Sequence, residues 1–582
     1  MGHTPVRADL TSVRGSLAPA LDLARDPRPD APEGDDWLAE PASLRVDAIA
    51  PIALHHGRAA ASPRDAVRVL NLIALSGARV LNDPLRQIVA RDKHANWALL
   101  EAAGLPVPES WLGPADAAAA RARLDLGAAQ AVLVYKLRNH LAPEGLSAIR
   151  SRNPLTPILA QRLLGVTETY RVAVLDGEPL WSAASRWNVH AAPADQPEPV
   201  VTLERSWYIP LENPVSLLAT EASRQVADVL GLRFVAAEIA LTTDGAWLVT
   251  DIDDAPAPSG AAADSLREVL VALITSGTRS EIAPGPTPPR ARLTERPARR
   301  PTSPVVGLWW PDYEGFDVLA SPALVENALL ERGAGVRRLD PNSTVVTPEG
   351  VVDRDGPARF SAFAPGSAGW YEARLALELF LDTRGVALAN DPAQSLRARD
   401  TAYVLAALAR AGVPVPETVL LPAWDTNAPD LGVAKSVAAS RGRRVARQPD
   451  VDYAELTERS AYYLAQRLLD ARTTLRLVVV DGVAFADRWD IAPPGEWRTN
   501  EIWGAIERPA DPDDPRVAPA LALAPRVTAA LGLRFAVVKA VVTPTGPVVL
   551  AVKPDGPFTS APAAAALADL LLAGIPGVTP AA

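Results

Sequence analysis

Apolar and polar residues follow two different spacings along this chain, which predicts helices alternating with strands. Between Ala90 and Ala103 the apolar residues recur every three or four positions, which predicts a helix that Gly104 and the prolines after it end. Three short apolar runs with many β-branched residues are typical of strands and cover 131–135, 170–175 and 234–241. Asp-Gly pairs at 176–177 and 244–245 predict tight turns between antiparallel strands. We therefore expect an α+β fold with antiparallel sheets.

The chain also repeats itself, because three segments recur in the same order about 300 residues later. The matching segments are 80–109 with 387–417, 161–187 with 466–490, and 230–245 with 531–546. Repeats of this size predict two tandem domains and not a solenoid. The expected units are 1–282 and 304–582, joined by a Pro- and Arg-rich linker over 283–303. The first unit has no clear counterpart of the opening strand in 305–316, which indicates a truncated N-terminal subdomain.

Composition narrows the range of functions. A chain of 582 residues with 48% apolar and 22% charged residues is typical of a globular protein of more than one domain. The absence of Cys excludes disulfides, thiolate metal sites and cysteine nucleophiles. We expect a cytoplasmic protein without a membrane partner, because no apolar run is long enough for a signal or a span. The net charge of −10 argues against nucleic acid as a partner, and the basic run 290–300 is interpreted as part of the linker.

Two lysines stand out in a chain with only five lysines among 58 basic residues. Lys136 and Lys435 each end a short apolar strand, at equivalent places in the two repeats. An ammonium group at such a strand end can hold a phosphate oxygen as a compact point charge. The alternative is an ordinary surface lysine, and the sequence leaves both interpretations open.

Three acidic residues are expected to gather near the second Asp-Gly turn. Pairing from that turn places Thr242 opposite Trp247 and Glu238 opposite Asp251, with Asp253 on the same face of the sheet. Opposed like charges destabilise a sheet, so the cluster favours a divalent cation, and oxygen ligands suit Mg²⁺. The alternative is that the strand end spreads its acids into solvent.

The second repeat is not expected to hold the same metal. With a turn at 545–546, Lys539 takes the place of the glutamate, Val552 lies opposite it and Pro554 takes the place of the last aspartate.

These motifs, in their order, resemble the ATP-grasp family, and most closely its RimK-like and glutathione-synthetase-like carboxylate–amine ligases. In the first repeat they are LNDP with RDK, AGLPVPES, LVYK, LDGEPLWSAASR and DIDDAP. The likeness spans most of both repeats. It implies two tandem ATP-grasp-like units, each with a small N-terminal subdomain and an antiparallel nucleotide-binding sheet.

The resemblance also implies roles for individual residues. Lys93 and Lys136 would contact the phosphates of ATP, and Arg186 would lie over the transferred phosphoryl group. The implied ligands of Mg²⁺ are Glu238, Asp251 and Asp253. The further implied nucleotide contacts are Gln161, Arg171, Lys435, Arg488, Arg498 and Asn500.

Two functions follow from the likeness. The first is an ATP- and Mg²⁺-dependent ligase that joins a carboxylate to an amine of an amino acid or peptide through an acyl phosphate, with the first unit catalytic. The second is a pseudoenzyme that binds a nucleotide or peptide without turnover. The chain departs from the family where Gly145 is the only glycine in the loop 138–146, and where Thr401 replaces the first lysine of the second unit. Substrate and oligomeric state, including a homo-oligomer, stay open.

Overall fold

The fold of this chain is mixed α and β, with several antiparallel sheets, as the computed structural model shows. The described residues are 15–16, 48–49, 68, 71–72, 74–75, 79–80, 82–127, 133–136, 157–162, 168–190, 200–241, 246–254, 256, 304–309, 320–364, 371–422, 429–437, 445–451, 462–469, 471–500 and 503–576. We call those up to 256 the N-terminal half and those from 304 the C-terminal half. The expected linker, the turn at 244–245 and Gly145 lie outside the described residues.

In the N-terminal half the structure gives bounds for eleven strands and four helices, and the described residues 68, 71–72 and 74–75 are also helical. In chain order they are β1 Gly15–Ser16, β2 Ala48–Ile49, β3 Arg79–Val80, α1 Pro84–Arg91, α2 Lys93–Ala102, β4 Ser110–Pro114, α3 Ala115–Leu126, β5 Leu133–Lys136, β6 Pro157–Arg162, β7 Glu168–Leu175, β8 Glu178–His190, β9 Val200–Tyr208, α4 Pro214–Leu230, β10 Phe234–Leu241 and β11 Trp247–Asp253.

The C-terminal half continues with sixteen strands and six α-helices among its described residues. They are β12 Val305–Trp309, α5 Ala320–Glu331, β13 Gly335–Leu339, β14 Val345–Thr347, β15 Gly350–Asp353, β16 Gly356–Ala358, β17 Ala362–Ala364, α6 Tyr371–Thr383, β18 Ala387–Leu388, α7 Pro392–Arg397, α8 Thr401–Arg410, β19 Thr418–Pro422, β20 Gly432–Ser436, β21 Val445–Arg447, β22 Tyr462–Arg467, β23 Thr473–Val480, β24 Val483–Ile491, β25 Ile506–Pro509, α9 Ala518–Leu531, β26 Phe535–Thr543, β27 Gly546–Lys553 and α10 Ala561–Ala573.

Each half contains a five-stranded antiparallel sheet with the same strand order. The order is β11-β10-β7-β8-β9 in the N-terminal half and β27-β26-β23-β24-β25 in the C-terminal half. The helix before β10 (α4) packs on the first sheet, and the helix before β26 (α9) packs on the second. The predicted turn at 176–177 is confirmed, because Asp176 and Gly177 both have positive φ, as a two-residue hairpin turn requires.

The predicted helix from Ala90 to Ala103 is wrong in its bounds, because two helices meet at Asp92. The Asp92 carboxylate accepts hydrogen bonds from the backbone N–H of His94 and Ala95, and it therefore begins a new helix at Lys93. The predicted single apolar face is also wrong, since α2 buries nearly all of its residues. The cause is α6 of the C-terminal half, which covers the side that the sheet leaves open.

The two halves share hydrophobic core. Trp97 on α2 stacks on Phe380 of α6, with ring centroids 6.2 Å apart. Strand β14 of the C-terminal half joins the sheet of β4, β6 and β5, where Val346 pairs with Leu112. In the reverse direction, β1 of the N-terminal half pairs with β19. The halves therefore complete each other's sheets.

The predicted opening strand of the C-terminal half is confirmed as β12, in a sheet with β13, β17 and β18 whose strands pair in parallel. Within the described part of the chain, no helix is long and apolar enough to cross a membrane.

Candidate functional site

The β10–β11 hairpin brings the acidic residues together through a bulge. Leu241 pairs with Trp247, so the predicted pairing of Thr242 with Trp247 is wrong by one residue. Glu238 nevertheless lies opposite Asp251, as predicted. The register is restored by a bulge in β11: Thr250 has no partner in β10 and lies between Val249, which pairs with Ile239, and Asp251, which pairs with Glu238.

Lys93 reaches this hairpin from the first turn of α2. Its side chain is 9% exposed, and its Nζ donates to Asp251 Oδ1 at 2.8 Å and to Oδ2 at 2.9 Å. Burial raises the pKa of Asp251, but the charges of Lys93 and Lys136 outweigh burial and lower that pKa below its ordinary value. Asp251 is therefore held as an anion by two cations.

Lys136 approaches the same place from the end of β5. Its Nζ donates to the carbonyl oxygen of Thr250 at 2.5 Å, which the bulge turns toward the ammonium. Burial and the nearby charge of Lys93 lower the pKa of Lys136 to about 8. Burial, together with the charge of Asp251, raises the pKa of Glu238. Four ionisable groups are thus coupled in a small volume.

The carboxylates are engaged by cations and do not form a metal cage. Asp253 accepts a hydrogen bond from Arg171 Nη2 at 2.7 Å, while Lys93 engages both oxygens of Asp251. Among the described residues no group of three or more His, Cys, Asp or Glu side chains has an arrangement that could hold a metal ion. The residues in this arrangement therefore do not fit Mg²⁺.

A cleft opens beside the two lysines, and the empty space within it, including open solvent at its mouth, is about 310 Å³. Its polar lining consists of Lys93, Asn96, Lys136, Gln161, Thr250 and Asp251. Its apolar lining consists of Trp97, Leu100, Val107, Leu159, Val249 and Ile252. One end is charged and the rest is largely apolar, which suits a flat apolar ligand with an anionic group.

Two predicted residues have different positions relative to this cleft. Gln161 lines it, and its Nε2 donates to Ser110 Oγ at 2.9 Å. Arg186 forms an ion pair with Glu168 on the neighbouring strand β7 and is absent from the described cleft lining. The structure therefore does not bring Arg186 to the lysines.

The predicted contacts in the C-terminal half belong to a second region. Lys435 Nζ donates to Gln466 Oε1 at 2.9 Å. Arg488 is buried and forms an ion pair with Glu507 at 2.9 Å. Arg498 forms an ion pair with Glu496 and stacks on Trp503, while Asn500 Oδ1 accepts from Lys539 at 3.3 Å.

The register of the second hairpin corrects two further predictions. Lys539 lies opposite Ala551 and not opposite Val552, because Leu550 bulges out of β27. Lys553 pairs with Val537 and takes the place that Asp253 has in the first hairpin, so the assignment of Pro554 to that place is wrong.

Sequence reasoning missed Thr250 and the apolar lining of the cleft. Thr250 carries the carbonyl that Lys136 contacts, but a bulge leaves no trace in an alternating pattern. Trp97 was identified only as a helix residue. Its position in the cleft lining could not be predicted, because its ring is held by stacking on Phe380 of the distant helix α6.

We expect Asp251→Asn to lower the free energy of unfolding by up to about 3 kcal/mol, because it leaves two neighbouring ammonium groups without their anion. Urea denaturation of the full chain measures the loss. Adding Lys93→Met to Asp251→Asn should recover part of the lost stability, since the double variant keeps only one of the two unpaired ammonium groups. Glu417→Gln, which removes an exposed ion pair with Arg467, is the control and should cost less than about 1 kcal/mol. If the losses of unfolding free energy for Asp251→Asn and Lys93→Met simply add in the double variant, the two side chains do not stabilise each other.

No family model matches the chain, and no curated protein sequence matches it. It is similar to the RimK domain protein ATP-grasp from Sphaerobacter thermophilus DSM 20745, with 24% identity over 46% of this chain and 99% of that one, and a TM-score of 0.35. It is similar to the macrocyclase MdnB from Microcystis aeruginosa MRC, with 21% identity over 46% and 99%, and a TM-score of 0.33. The ATP-grasp ligase PsnB, solved with precursor peptide PsnA2 and AMPPNP, gives 18% identity over 47% and 97%, and a TM-score of 0.34. Each match spans less than half of this chain.

Proposed function

We propose that the N-terminal half binds ATP in the cleft beside Lys93 and Lys136, and that the chain is an ATP-dependent ligase. The reaction joins a carboxylate to an amine of an amino acid or peptide through an acyl phosphate. The observation that carries the proposal is the meeting of two lysines from separate elements, α2 and β5, at one end of a largely apolar cleft.

The charge arrangement supports a phosphate ligand. Lys136 is held with a lowered pKa, and an anion at its Nζ would restore the charged form. Lys93 exchanges one anionic partner for another if a phosphate oxygen replaces Asp251. The apolar lining around Trp97 offers the stacking surface that a nucleobase needs.

The proposed reaction has no step that uses Mg²⁺. A metal at Glu238, Asp251 and Asp253 would require Lys93 to leave Asp251 and Arg171 to leave Asp253. The chain's own cations hold the substrate anions, and positioning of the two reacting groups carries most of the rate.

We also propose that the chain consists of two diverged units, 1–282 and 304–582, joined by 283–303. Both hairpins contain a bulge at the same place, at Thr250 and at Leu550. The shared strand order of the two five-stranded sheets supports the same interpretation.

A nucleotide-binding module without turnover is the second candidate. Two observations favour it: Asp251 and Asp253 already form ion pairs with Lys93 and Arg171, and Arg186 pairs with Glu168. In that case the chain binds ATP and transfers no phosphoryl group.

The test uses the full chain, because the halves share a core. Calorimetric titration with ATP, with and without Mg²⁺, should show binding that Lys136→Met weakens by about tenfold or more. Arg534→Gln removes an exposed charge that pairs with Asp481 and should leave binding unchanged. ADP release with a panel of amino acids and peptides then measures turnover.

The outcomes separate the candidates. ADP release that depends on Lys136 supports the ligase. Binding without ADP release from any acceptor leaves the binding module and rejects the ligase. Absence of ATP binding rejects both.

A further inference from the structure

One side of helix α2 runs along the cleft of the N-terminal half. Four of its side chains line that cleft, at positions three and four residues apart: Lys93, Asn96, Trp97 and Leu100. Lys93 lies at the charged end of the cleft, beside Lys136. Trp97 lies one helical turn further along α2, among the apolar part of the lining. A nucleotide whose phosphates meet the lysines would therefore bring its base toward Trp97.

Helix α6 of the C-terminal half holds Trp97 through two contacts that lie one helical turn apart. The rings of Trp97 and Phe380 are nearly parallel, with an interplanar angle of 8° and centroids 6.2 Å apart. One turn further along α2, Glu101 Oε2 accepts a hydrogen bond from Arg384 Nη2 at 2.8 Å. The guanidinium carbon of Arg384 also lies 3.8 Å from the centroid of the Phe380 ring. Arg384 thus contacts both the ring that supports Trp97 and the helix that carries it.

The two halves can be compared position by position in this region. Strand β3 begins at residue 79 and β18 at residue 387, an offset of 308 residues, and the capping aspartates of α2 and α8 keep that offset. Leu72 therefore corresponds to Phe380, and Leu405 corresponds to Trp97. Both leucines are buried. Leucine thus fills these two core positions in the other repeat, so packing alone does not call for two aromatic rings.

The aromatic pair occurs in the same repeat interface as the lysine of the cleft. At the same offset Thr401 corresponds to Lys93, and Ala409 corresponds to Glu101. The lysine, the aromatic pair and the acid that binds Arg384 are thus present together and replaced together. This association links the aromatic pair to the ligand of the cleft and not to the fold alone.

We propose that Phe380 and Arg384 of the C-terminal half are positioning residues for the base of a nucleotide in the N-terminal cleft. Phe380 sets the plane of the Trp97 ring against which the base packs, and Arg384 holds Phe380. A ring that is already fixed loses little rotamer freedom when a flat ligand stacks on it. This inference rests on the proposed function, since it takes the ligand of the cleft to be ATP. It gives the C-terminal half a part in ligand binding without a second nucleotide site.

The experiment is a calorimetric titration of the full chain with ATP and with inorganic tripolyphosphate, which has the phosphates but no base. Phe380→Leu should weaken ATP binding by about fivefold or more and change tripolyphosphate binding by less than about twofold, because only ATP has a base to place against Trp97. Lys136→Met should weaken both ligands. The matched control is Phe363→Leu, which removes the same atoms from the same core cluster, where Phe363 packs against Trp309. It should change neither affinity, and circular dichroism checks that each variant is folded.

A second set of variants tests Arg384 and leaves every aromatic ring in place. Arg384→Met removes the cation beside Phe380 and the ion pair with Glu101, and should weaken ATP binding by about threefold. Arg384→Lys keeps a cation at this position and should recover most of that affinity. The control is Arg332→Met, because Arg332 forms an ion pair with Asp569 between α5 and α10 and should not affect ATP binding.

Two results would overturn the positioning role while the proposed function stands. One is ATP binding that needs Lys136 and is weakened equally, or not at all, by Phe380→Leu and Phe363→Leu, since Phe380 would then act only through general stability. The other is equal weakening of ATP and tripolyphosphate by Phe380→Leu, since the base would then have no special dependence on Phe380. Absence of ATP binding in the unchanged chain would reject the proposed function, and this inference with it.

Discussion

Trp97→Ala is expected to lower the free energy of unfolding by about 3–5 kcal/mol and to destabilise both halves of the chain together. Trp97 is 3% exposed and stacks on Phe380 of the other half. Its cluster also contains Leu112 from one half and Phe363 from the other. The loss is one of packing alone, because the Trp97 ring nitrogen makes no hydrogen bond within the described structure.

The measurement is urea denaturation followed by circular dichroism and by fluorescence. The control is Trp503→Ala, since Trp503 is 37% exposed and should cost about 1 kcal/mol or less. Coincident transitions in the unchanged chain, both shifted by Trp97→Ala, are expected of one cooperative unit. Two separate transitions, with only one of them shifted, would contradict a shared core.

The shared core also limits how function can be tested. Residues 1–282 alone would lose β14 from the sheet of β4, β6 and β5, and α2 would lose its cover of α6. A sheet edge and an apolar helix face would then meet water. Ligand binding therefore has to be measured on the whole chain, with single substitutions in place of isolated halves.

The sequence predicted those features that depend on neighbouring residues. The strand from Phe234 to Leu241 was found at its observed bounds, because its short apolar run is interrupted only by Glu238 and contains β-branched residues. The turn at 176–177 was found because Asp-Gly tolerates positive φ at both positions. These signals are local, and no distant contact overrides them.

The features that depend on distant residues were not predictable. The pairing of Glu238 with Asp251 was predicted correctly for a wrong reason, since an error of one residue at the turn is cancelled by the bulge at Thr250. The partner of Asp251 was expected to be a metal, yet Lys93 occupies both of its oxygens. Helix α2 was predicted to have a polar face, yet α6 covers that face. Helix α6 lies more than 250 residues further along the chain, so the local sequence around α2 gives no sign of it.

Asn82→Ala is the second substitution with a large expected effect, because one side chain satisfies four backbone groups. Its Nδ2 donates to the carbonyl oxygens of Phe234 at 2.6 Å and Asp254 at 2.8 Å. Its Oδ1 accepts from the N–H groups of Arg233 and Phe234, each at 2.8 Å. Asn82 has a φ of 60°, a conformation that Asn adopts more readily than most residues. It therefore joins the start of β10 to the end of β11, the two strands that carry the acidic cluster.

The same set of four side-chain-to-backbone hydrogen bonds, which we call the asparagine clamp, occurs in the other half. Asn390 donates to Phe535 and Pro554, and accepts from Arg534 and Phe535. We therefore expect Asn82→Ala and Asn390→Ala to cost similar amounts, about 3–5 kcal/mol each, since each leaves several buried backbone groups without partners.

The control is Asn213→Ala. Asn213 only caps helix α4, through a bond to the N–H of Val215, and its loss should cost about 1 kcal/mol. Urea denaturation ranks the three variants, and hydrogen exchange at Phe234 and Phe535 shows where each one opens. If Asn82→Ala costs no more than Asn213→Ala, the clamp is not what joins the two strands. The hairpin strand β11 lines the cleft beside Lys93. If Asn82→Ala opens Phe234 while the affinity for ATP is retained, ATP does not bind in that cleft.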